Sequence, residues 1–518
     1  MTKRYYVTSP IYYVNDAPHI GHAYTTVACD VMARFMRLDG YDVRLLTGTD
    51  EHGQKVEKSS QRAGMEPRPF VDKMSENFRA LARRMNISND DFIRTTEERH
   101  VRACQALWRA LRERDQIYLG TYAGWYAVRD EAYYGEGEVR DGPDGKKLAP
   151  TGAEVEWVEE PSYFFRLSQW QDPLLHYYDE NPRFIAPDSR RNEVVSFVRS
   201  GLRDLSVSRT SFTWGVPVPD APGHVMYVWL DALTNYITAA GYPEREGSLF
   251  TAYWPADLHM VGKDIVRFHA VYWPAFLMAA GLAPPKRVFA HGWWTNEGQK
   301  ISKSLGNVID PFHLIERYGL DAVRYFMLRE VPFGADGDFS HRAMVERING
   351  DLANDFGNLV QRVLSMINRS CNGCVPDMGA PTDADRSLMD RAHGLLGELR
   401  PLFNDQVFHR ALEAIWRLVG EANRYVDREA PWALRKTDPA RMRTVLYVLA
   451  ETIRHLAIVA QPVMPDATGR MLDQLAVSPT GRDFAHLGPA GALEPGAVLP
   501  KPQGIFPRFV DAERLHAR

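Results

Sequence analysis

One stretch of this sequence, Lys3 to Asp50, restricts the fold more than any other. Tyr5, Tyr6 and Val7 form a short apolar run, and an irregular turn follows at Ser9-Pro10-Ile11-Tyr12-Tyr13-Val14-Asn15. After Pro18 the period changes. Ile20, Tyr24, Val27, Ala28, Val31, Met32 and Phe35 recur at three- and four-residue steps, the apolar face of an α-helix. Gly40 is expected to stop that helix, and Val43-Arg44-Leu45-Leu46 reads as the next strand, ending in Thr47-Gly48-Thr49-Asp50. Strand, helix and strand in so short a span predict the first crossover of a parallel nucleotide-binding sheet. The helix opens on His19-Ile20-Gly21-His22. Free backbone N–H groups and the positive dipole end at a helix start attract phosphate. Gly21 allows close approach to the backbone, and two imidazoles can donate hydrogen bonds to phosphate oxygens. Alone, this tetrapeptide reads first as a helix start with two solvated histidines.

A second stretch changes that balance. Lys300-Ile301-Ser302-Lys303-Ser304 follows the strand-like Arg287-Val288-Phe289-Ala290-His291 and the polar turn Asn296-Glu297-Gly298-Gln299. Two lysines three apart, with serines and Gly306, suit a mobile clamp for a triphosphate. Composition narrows the setting. A chain of 518 residues exceeds a single core, so about two to four domains are expected. A net charge of −4 excludes a generally basic nucleic-acid binder, so any RNA contact must be local. The N-terminus has no apolar signal core, and nowhere do about eighteen apolar residues run together. The cysteines are Cys29, Cys104, Cys371 and Cys374, few enough to indicate a reducing, cytoplasmic setting.

Along the chain, Pro69 to Met85 and Glu97 to Arg114 read as amphipathic helices covering the sheet. From Tyr118 to about Val218 the texture is rich in Tyr, Trp, Gly and charge, with turn signals such as Asp141-Gly142-Pro143-Asp144-Gly145; this predicts an insertion. The sheet is expected to resume at His224–Trp229, with a helix start at Asp231, then a strand running into a turn over Leu258–Asp264 and a helix at Ile265–Ala280. Beyond Asp310, stripes such as Phe408, Leu412, Ile415, Trp416 and Val419 predict a helical bundle. The Pro- and Gly-rich end is expected to dock back as strand or loop.

The two phosphate stretches together, each after a strand, resemble the paired signatures of class I aminoacyl-tRNA synthetases. The run Thr8–Asn15 through His22, the Gly48-Thr49-Asp50-Glu51-His52-Gly53 turn, Val228-Trp229-Leu230-Asp231-Ala232, Gly262-Lys263-Asp264-Ile265 and Ala430-Pro431-Trp432 narrow it to the methionyl-tRNA synthetase family over nearly the whole chain. The resemblance implies an α/β fold: a Rossmann-like parallel sheet split by an inserted connective domain, followed by an α-helical anticodon-binding bundle. Its expected divisions are 1–117 and 221–295 for the two catalytic halves and 118–220 for the connective domain without zinc. The lysine-loop and stem-contact region is expected at 296–345, and the anticodon domain with its tail at 346–518.

The implied activity joins methionine and ATP to methionyl-adenylate, then acylates methionine tRNA, initiator tRNA included. His19, Gly21, His22, Lys300 and Lys303 would serve the phosphates, and Gly262, Asp264, Ser302 and Ser304 the rest of ATP, with Mg²⁺ carried in by the nucleotide. For the amino acid, Pro10, Ile11, Tyr12, Tyr13, Trp229, Ala232, Tyr236, Ile265 and His269 would line an apolar pocket, with Asp50 accepting from the ammonium. Trp273 is a further wall or plain core.

Many members of this family carry zinc knuckles in the insertion. Tyr118 to Phe165 contains no cysteine, and Ala127 and Asp130 stand where a first pair belongs, so no zinc is expected. Cys371-Asn372-Gly373-Cys374 reads as a turn. Asn358, Arg362 and Trp432 match the family's readers of the CAU anticodon, and Arg428 to Arg443 holds five basic against two acidic residues. No appended OB-type domain follows Phe506, which predicts a monomer, and no membrane association is expected. The competing readings are another adenylate-forming ligase on this scaffold, which would lack the bundle, and a non-catalytic RNA binder, which would lack the histidines and lysines. A different amino-acid specificity is the third.

Overall fold

Arg4–Thr8 forms the first strand, Ile20–Leu38 the helix and Asp42–Asp50 the next strand, following the change of period in the sequence. Gly40, at φ 83°, supplies the left-handed turn after the helix. The computed structural model describes residues 3–14, 17–130, 132–246, 248–301 and 307–510. These divide into an α/β unit, Arg4–Cys29 with Arg44–His291, and a largely helical unit, Asp30–Val43 with the chain from Gly292 onward.

The α/β unit is built on one sheet. Its strands lie in the order Ile185–Ala186, Val288–His291, Leu258–Gly262, Arg4–Thr8, Asp42–Asp50 and Tyr12–Tyr13, and Asp91–Arg94 also pairs with Asp42–Asp50. Val7 stands against Leu258, His259 against Val288 and Leu46 against Asp91, all in parallel. Strands with every residue buried, such as Val288–His291, are what a parallel sheet covered on both faces requires. Thr8, Asp50, Gly262 and His291 all end strands at the carboxyl edge, where such sheets bind ligands. At Gly48 the backbones are so close that a Cβ would stand 2.1 Å from the carbonyl oxygen of Ile93.

Two readings of the sequence change here. The insertion is an antiparallel sheet around Ile117–Ala127 and Glu154–Phe165, but Ile185–Ala186 returns to the main sheet beside Val288–Phe289. The stretch 118–220 is therefore not one inserted body; a two-residue strand carries too little pattern to be seen in sequence. Likewise Val225–Met226 pairs antiparallel with Ser208–Arg209 in a separate ribbon, and the helix begins at Val228, not Asp231. A short apolar run has no period to tell strand from helix. Within the insertion, Ala127, Ala149, Ala153 and Val155 make a small core. Beside it Asp130 accepts from Arg129 Nε at 2.9 Å, Tyr134 Oη at 3.1 Å and Thr151 Oγ1.

The other unit holds the long helices Asp383–Asn404, Phe408–Glu429 and Pro439–Ala460 with Asn358–Ser370, and a small sheet of Trp294–Asn296, Gln299–Lys300 and Gly337–Phe339. The latter part of the first helix packs inside it. Phe35 stacks on Phe403 at 3.9 Å, and buried Asp30 accepts from Arg324 Nη2 at 2.7 Å. The tail docks back through Leu493 N–H to Glu451 and a bridge from Val498 to Cys374. Among the described residues no helix is long and apolar enough to cross a membrane.

Candidate functional site

The first helix opens between two strand ends, and its histidines are ordered by the backbone itself. The N–H of Gly21 donates to His19 Nδ1 and that of His19 to His22 Nδ1, each at 3.1 Å. An Nδ1 that accepts leaves the ring proton on Nε2, so each imidazole presents an Nε2–H donor. The rings lie 3.9 Å apart. Burial lowers both pKa values, that of His22 well below the ordinary range; Asp264 partly offsets the effect at His19. Both rings are therefore neutral donors at physiological pH. Gly21 is tight against His19, with a Cβ there at 3.0 Å from its ring.

Gly262 ends its strand and Asp264 follows in a single 3₁₀ turn, Lys263–Ile265. A Cβ on residue 262 would meet the Asp264 carboxylate at 2.5 Å, so glycine is what lets that carboxylate fold back over the strand end. His291, at the end of the neighbouring strand, was not singled out in the sequence; it bonds Thr25 Oγ1 at 2.7 Å. Lys300 ends the Gln299–Lys300 strand. Ser302, Lys303, Ser304 and Gly306 lie outside the described residues, as does the Lys300 side chain.

Aromatic side chains gather beside the carboxyl end of Asp42–Asp50. Tyr13 is in register with Asp50, and Tyr12 with Thr49. Strand alternation therefore sets Tyr13 and Asp50 on one face, Tyr12 and Thr49 on the other. Tyr12 is corrected accordingly. It is 7% exposed and packs with Val14, Val56, Phe70 and Phe78. Its hydroxyl meets Thr26 Oγ1 at 2.6 Å and donates to the His22 carbonyl at 3.2 Å. It supports the histidine helix rather than lining the pocket.

On the pocket side, the Val228–Ala239 helix carries Trp229, buried Ala232 and Tyr236. His269 lies on a π-helical turn, Phe268–Tyr272, a distortion frequent at functional sites. The His269 Nδ1–H donates to the Ile265 carbonyl at 2.9 Å, and Nε2 accepts from Tyr236 Oη at 2.7 Å. Burial, opposed by that carbonyl and by Asp264, brings the His269 pKa down to about 4, so the pair is uncharged. Trp229 stacks on Phe268, ring to ring at 3.7 Å. Phe268 escaped the sequence reading, although it precedes His269 directly. Ile11, Tyr13 and Ile265 pack on the same core, and Pro10 is buried where the chain leaves the first strand. Trp273 is core, fully buried and donating to His259 Nε2 at 3.2 Å.

In the helical unit, Asn358 opens the Asn358–Ser370 helix and is exposed, and Arg362 lies one turn on. The Arg362 guanidinium sits 5.3 Å from the Trp432 ring centre and donates to Asp427 at 2.8 Å. Trp432 is 48% exposed. It follows Pro431 at the start of Pro431–Thr437, where Ala430 turns the chain through a left-handed φ of 41°. An exposed indole beside a guanidinium is a platform for unstacked bases.

Comparison with known proteins agrees along the whole length. Residues 5–364 match the family described as tRNA synthetases class I (M), and 375–517 the anticodon binding domain of methionyl tRNA ligase. The methionine–tRNA ligase of Brucella suis is 58% identical over 511 residues, 99% of each chain. That of Rickettsia bellii is 55% identical over 514 residues, 98% of this chain and all of the relative. Among solved structures, Mycobacterium tuberculosis methionyl-tRNA synthetase in complex with methionyl-adenylate superposes with a TM-score of 0.96 at 54% identity, covering 98% of this chain and 100% of that one. The apo form of the same enzyme gives a TM-score of 0.90.

Proposed function

The chain belongs to the methionyl-tRNA synthetase family and joins methionine to tRNA at the expense of ATP, and from that premise we propose which of its side chains do so. In the first half-reaction the methionine carboxylate attacks the α-phosphorus of ATP, and pyrophosphate leaves. The nucleophile belongs to the substrate, so the protein's contribution is positioning and the stabilisation of charge that grows on the phosphates. His19 and His22 offer Nε2–H donors to phosphate oxygens at the helix start, with Gly21 admitting the phosphate to the backbone. Lys300 and Lys303 neutralise the β- and γ-phosphates, Lys303 above all, with Ser302 and Ser304 completing the loop. Gly262 and Asp264 take the ribose hydroxyls. Mg²⁺ enters with ATP, since it favours phosphate oxygens and water over an all-protein cage.

Methionine lies with its ammonium on Asp50 and its side chain among Tyr13, Trp229, Tyr236 and His269, closed by Pro10, Ile11, Ala232 and Ile265. The observation that carries this assignment is the uncharged Tyr236–His269 pair on the core shared with Tyr13. It gives a thioether a polarisable wall without a charge that the substrate cannot match. In the second half-reaction the adenylate acylates the terminal adenosine of methionine tRNA, initiator included, chosen by Asn358, Arg362 and Trp432 at a CAU anticodon. The enzyme works as a monomer in the cytoplasm. Methionine-dependent exchange of labelled pyrophosphate into ATP, run against a panel of amino acids, tests the first half. Aminoacylation of transcripts with altered anticodons tests the second. Equal exchange with leucine or isoleucine would refute the pocket assignment.

A further inference from the structure

Behind the strand end that carries Asp50 lies a polar cluster that no role above uses. Asp231 is completely buried, two residues after Trp229 in the first turn of the Val228–Ala239 helix. Its two carboxylate oxygens take different partners: Oδ2 accepts from His52 Nδ1 and Oδ1 from His100 Nε2, each at 2.7 Å. His52 follows Asp50 by two residues. His100 lies on the Glu98–Glu113 helix, and its Nδ1 meets Thr238 Oγ1 at 3.2 Å, back on the helix of Asp231. Cys104, one turn along from His100, approaches His100 Nε2 at 3.2 Å.

Imidazoles, a thiol and a carboxylate in one place invite comparison with a metal cage, and His100, Cys104 and Asp231 are close enough together to suggest one. The spacing argues otherwise. Ligands of a tetrahedral zinc, at about 2.0–2.3 Å from it, stand roughly 3.3 Å or more apart. Here both imidazoles touch Asp231 at hydrogen-bond distance. Burial raises the Asp231 pKa, but the charges and hydrogen bonds of His52 and His100 outweigh it and bring the group to about 2. The carboxylate is thus a permanent anion inside the core. Burial, then Asp231, push the Cys104 thiol well above its ordinary value, and Cys104 Sγ lies 3.8 Å from Asp231 Oδ1.

We infer that Asp231 is a positioning residue for methionine: through His52 it ties the helix of Trp229 and Tyr236 to the strand end of Asp50, and through His100 it fixes that helix to the Glu98–Glu113 helix. A neighbouring anchor holds the same strand end from its other side. Buried Glu51 accepts from Arg94 at 2.7 and 2.9 Å and from Thr96, and the Glu51 carbonyl accepts from Trp214 Nε1 at 2.6 Å. His52 lies edge-on to the same Trp214 ring at 5.5 Å. With both sides pinned, the gap between the ammonium acceptor and the aromatic walls is fixed before substrate arrives. That is where preorganisation acts on binding.

The inference rests on the proposal that Asp50, Trp229 and Tyr236 contact methionine, and the test separates the two. In pyrophosphate exchange, Asp231→Asn should raise the methionine KM about ten-fold or more while the ATP KM changes less than about two-fold. His52→Ala should behave alike. His52→Asn, whose amide N–H can replace the Nδ1 donor, should restore most of the loss. If Asp231→Asn does not fold, the two His52 variants carry the test, each checked by its thermal midpoint. Equal rises in both KM values, no rise in folded variants, or a His52→Asn no better than His52→Ala would overturn the inference. Asp50→Asn is the control: an unchanged methionine KM there sinks the pocket assignment itself. A raised one beside an unaffected Asp231→Asn sinks only the positioning role.

Discussion

The proposed amino-acid pocket and the proposed anticodon face are built in opposite ways. Around Asp50 two buried polar groups are held by partners, one pair neutral and one ionised. Tyr236 meets His269, and Asp231 meets His52 and His100. Around Trp432 the indole is half exposed, and Arg362 beside it pairs with Asp427, itself mostly in solvent. A small apolar substrate has few handles, so selectivity comes from walls that are fixed in advance. Splayed bases bring large faces and many edge groups, so an open, adaptable platform serves them. The comparison teaches that rigidity is placed where the ligand offers least.

That contrast can be broken by asking whether damage on one side is felt by one half-reaction alone. The largest effect is expected at Lys303→Ala. Losing a cation from the growing phosphate charge should cut adenylate formation about a hundred-fold or more, with methionine binding by calorimetry nearly unchanged; equal loss in both would make the lysine structural. Next comes Trp432→Ala. Stacking on an aromatic is worth roughly 1–3 kcal/mol, so aminoacylation should fall about ten-fold or more while pyrophosphate exchange holds. Matching losses would erase the division.

Tyr12→Phe sharpens the contrast within the α/β unit. It removes a hydroxyl bonded to Thr26 and the His22 carbonyl, worth about 0.5–1.5 kcal/mol. A few-fold rise in the ATP KM is expected, with the methionine KM unmoved. A rise in the methionine KM instead would return Tyr12 to the pocket.

The smallest expected effect concerns pH. Among the described residues, each unit holds a buried neutral imidazole with Nδ1 on a backbone carbonyl: His269 on Ile265 and His455 on Glu451. Burial brings both from 6.5 to about 4. A depressed folded value means the unfolded chain takes up protons first. Their contribution is therefore complete above pH 6.5 and is lost as the pH falls toward about 4. Thermal midpoints should drop across that window, and His455→Gln should flatten the slope without touching pyrophosphate exchange. An unchanged slope would assign the acid loss to other groups.

Much of the α/β unit was legible because period and punctuation agree there. The stripe from Ile20 to Phe35, the stop at Gly40 and the strand ends at Asp50 and Gly262 all stand where pattern places them. The short pieces were not. Ile185–Ala186 is a strand only because Val288–Phe289 lies beside it, and Val228–Trp229 is helical despite reading like strand. The site divides in the same manner. His19, Gly21 and His22 follow from local chemistry at a helix start, whereas Asp264 came from the family resemblance. Asn358, Arg362 and Trp432 are ordinary helix-surface residues that only the family resemblance singled out. Phe268 and the Asp231 cluster were missed because their meaning lies in contacts between distant segments. A histidine at 52, another at 100 and an aspartate at 231 share no spacing in the chain.

Position 48 carries a further consequence for anyone seeking to inhibit this enzyme. Its lack of a side chain is imposed by the Ile93 carbonyl, 2.1 Å from where a Cβ would sit, and it stands two residues before Asp50. A compound leaning on that strand end would press on main chain that mutation cannot reshape without parting two strands. Drug resistance would have to be sought among side chains elsewhere around the compound.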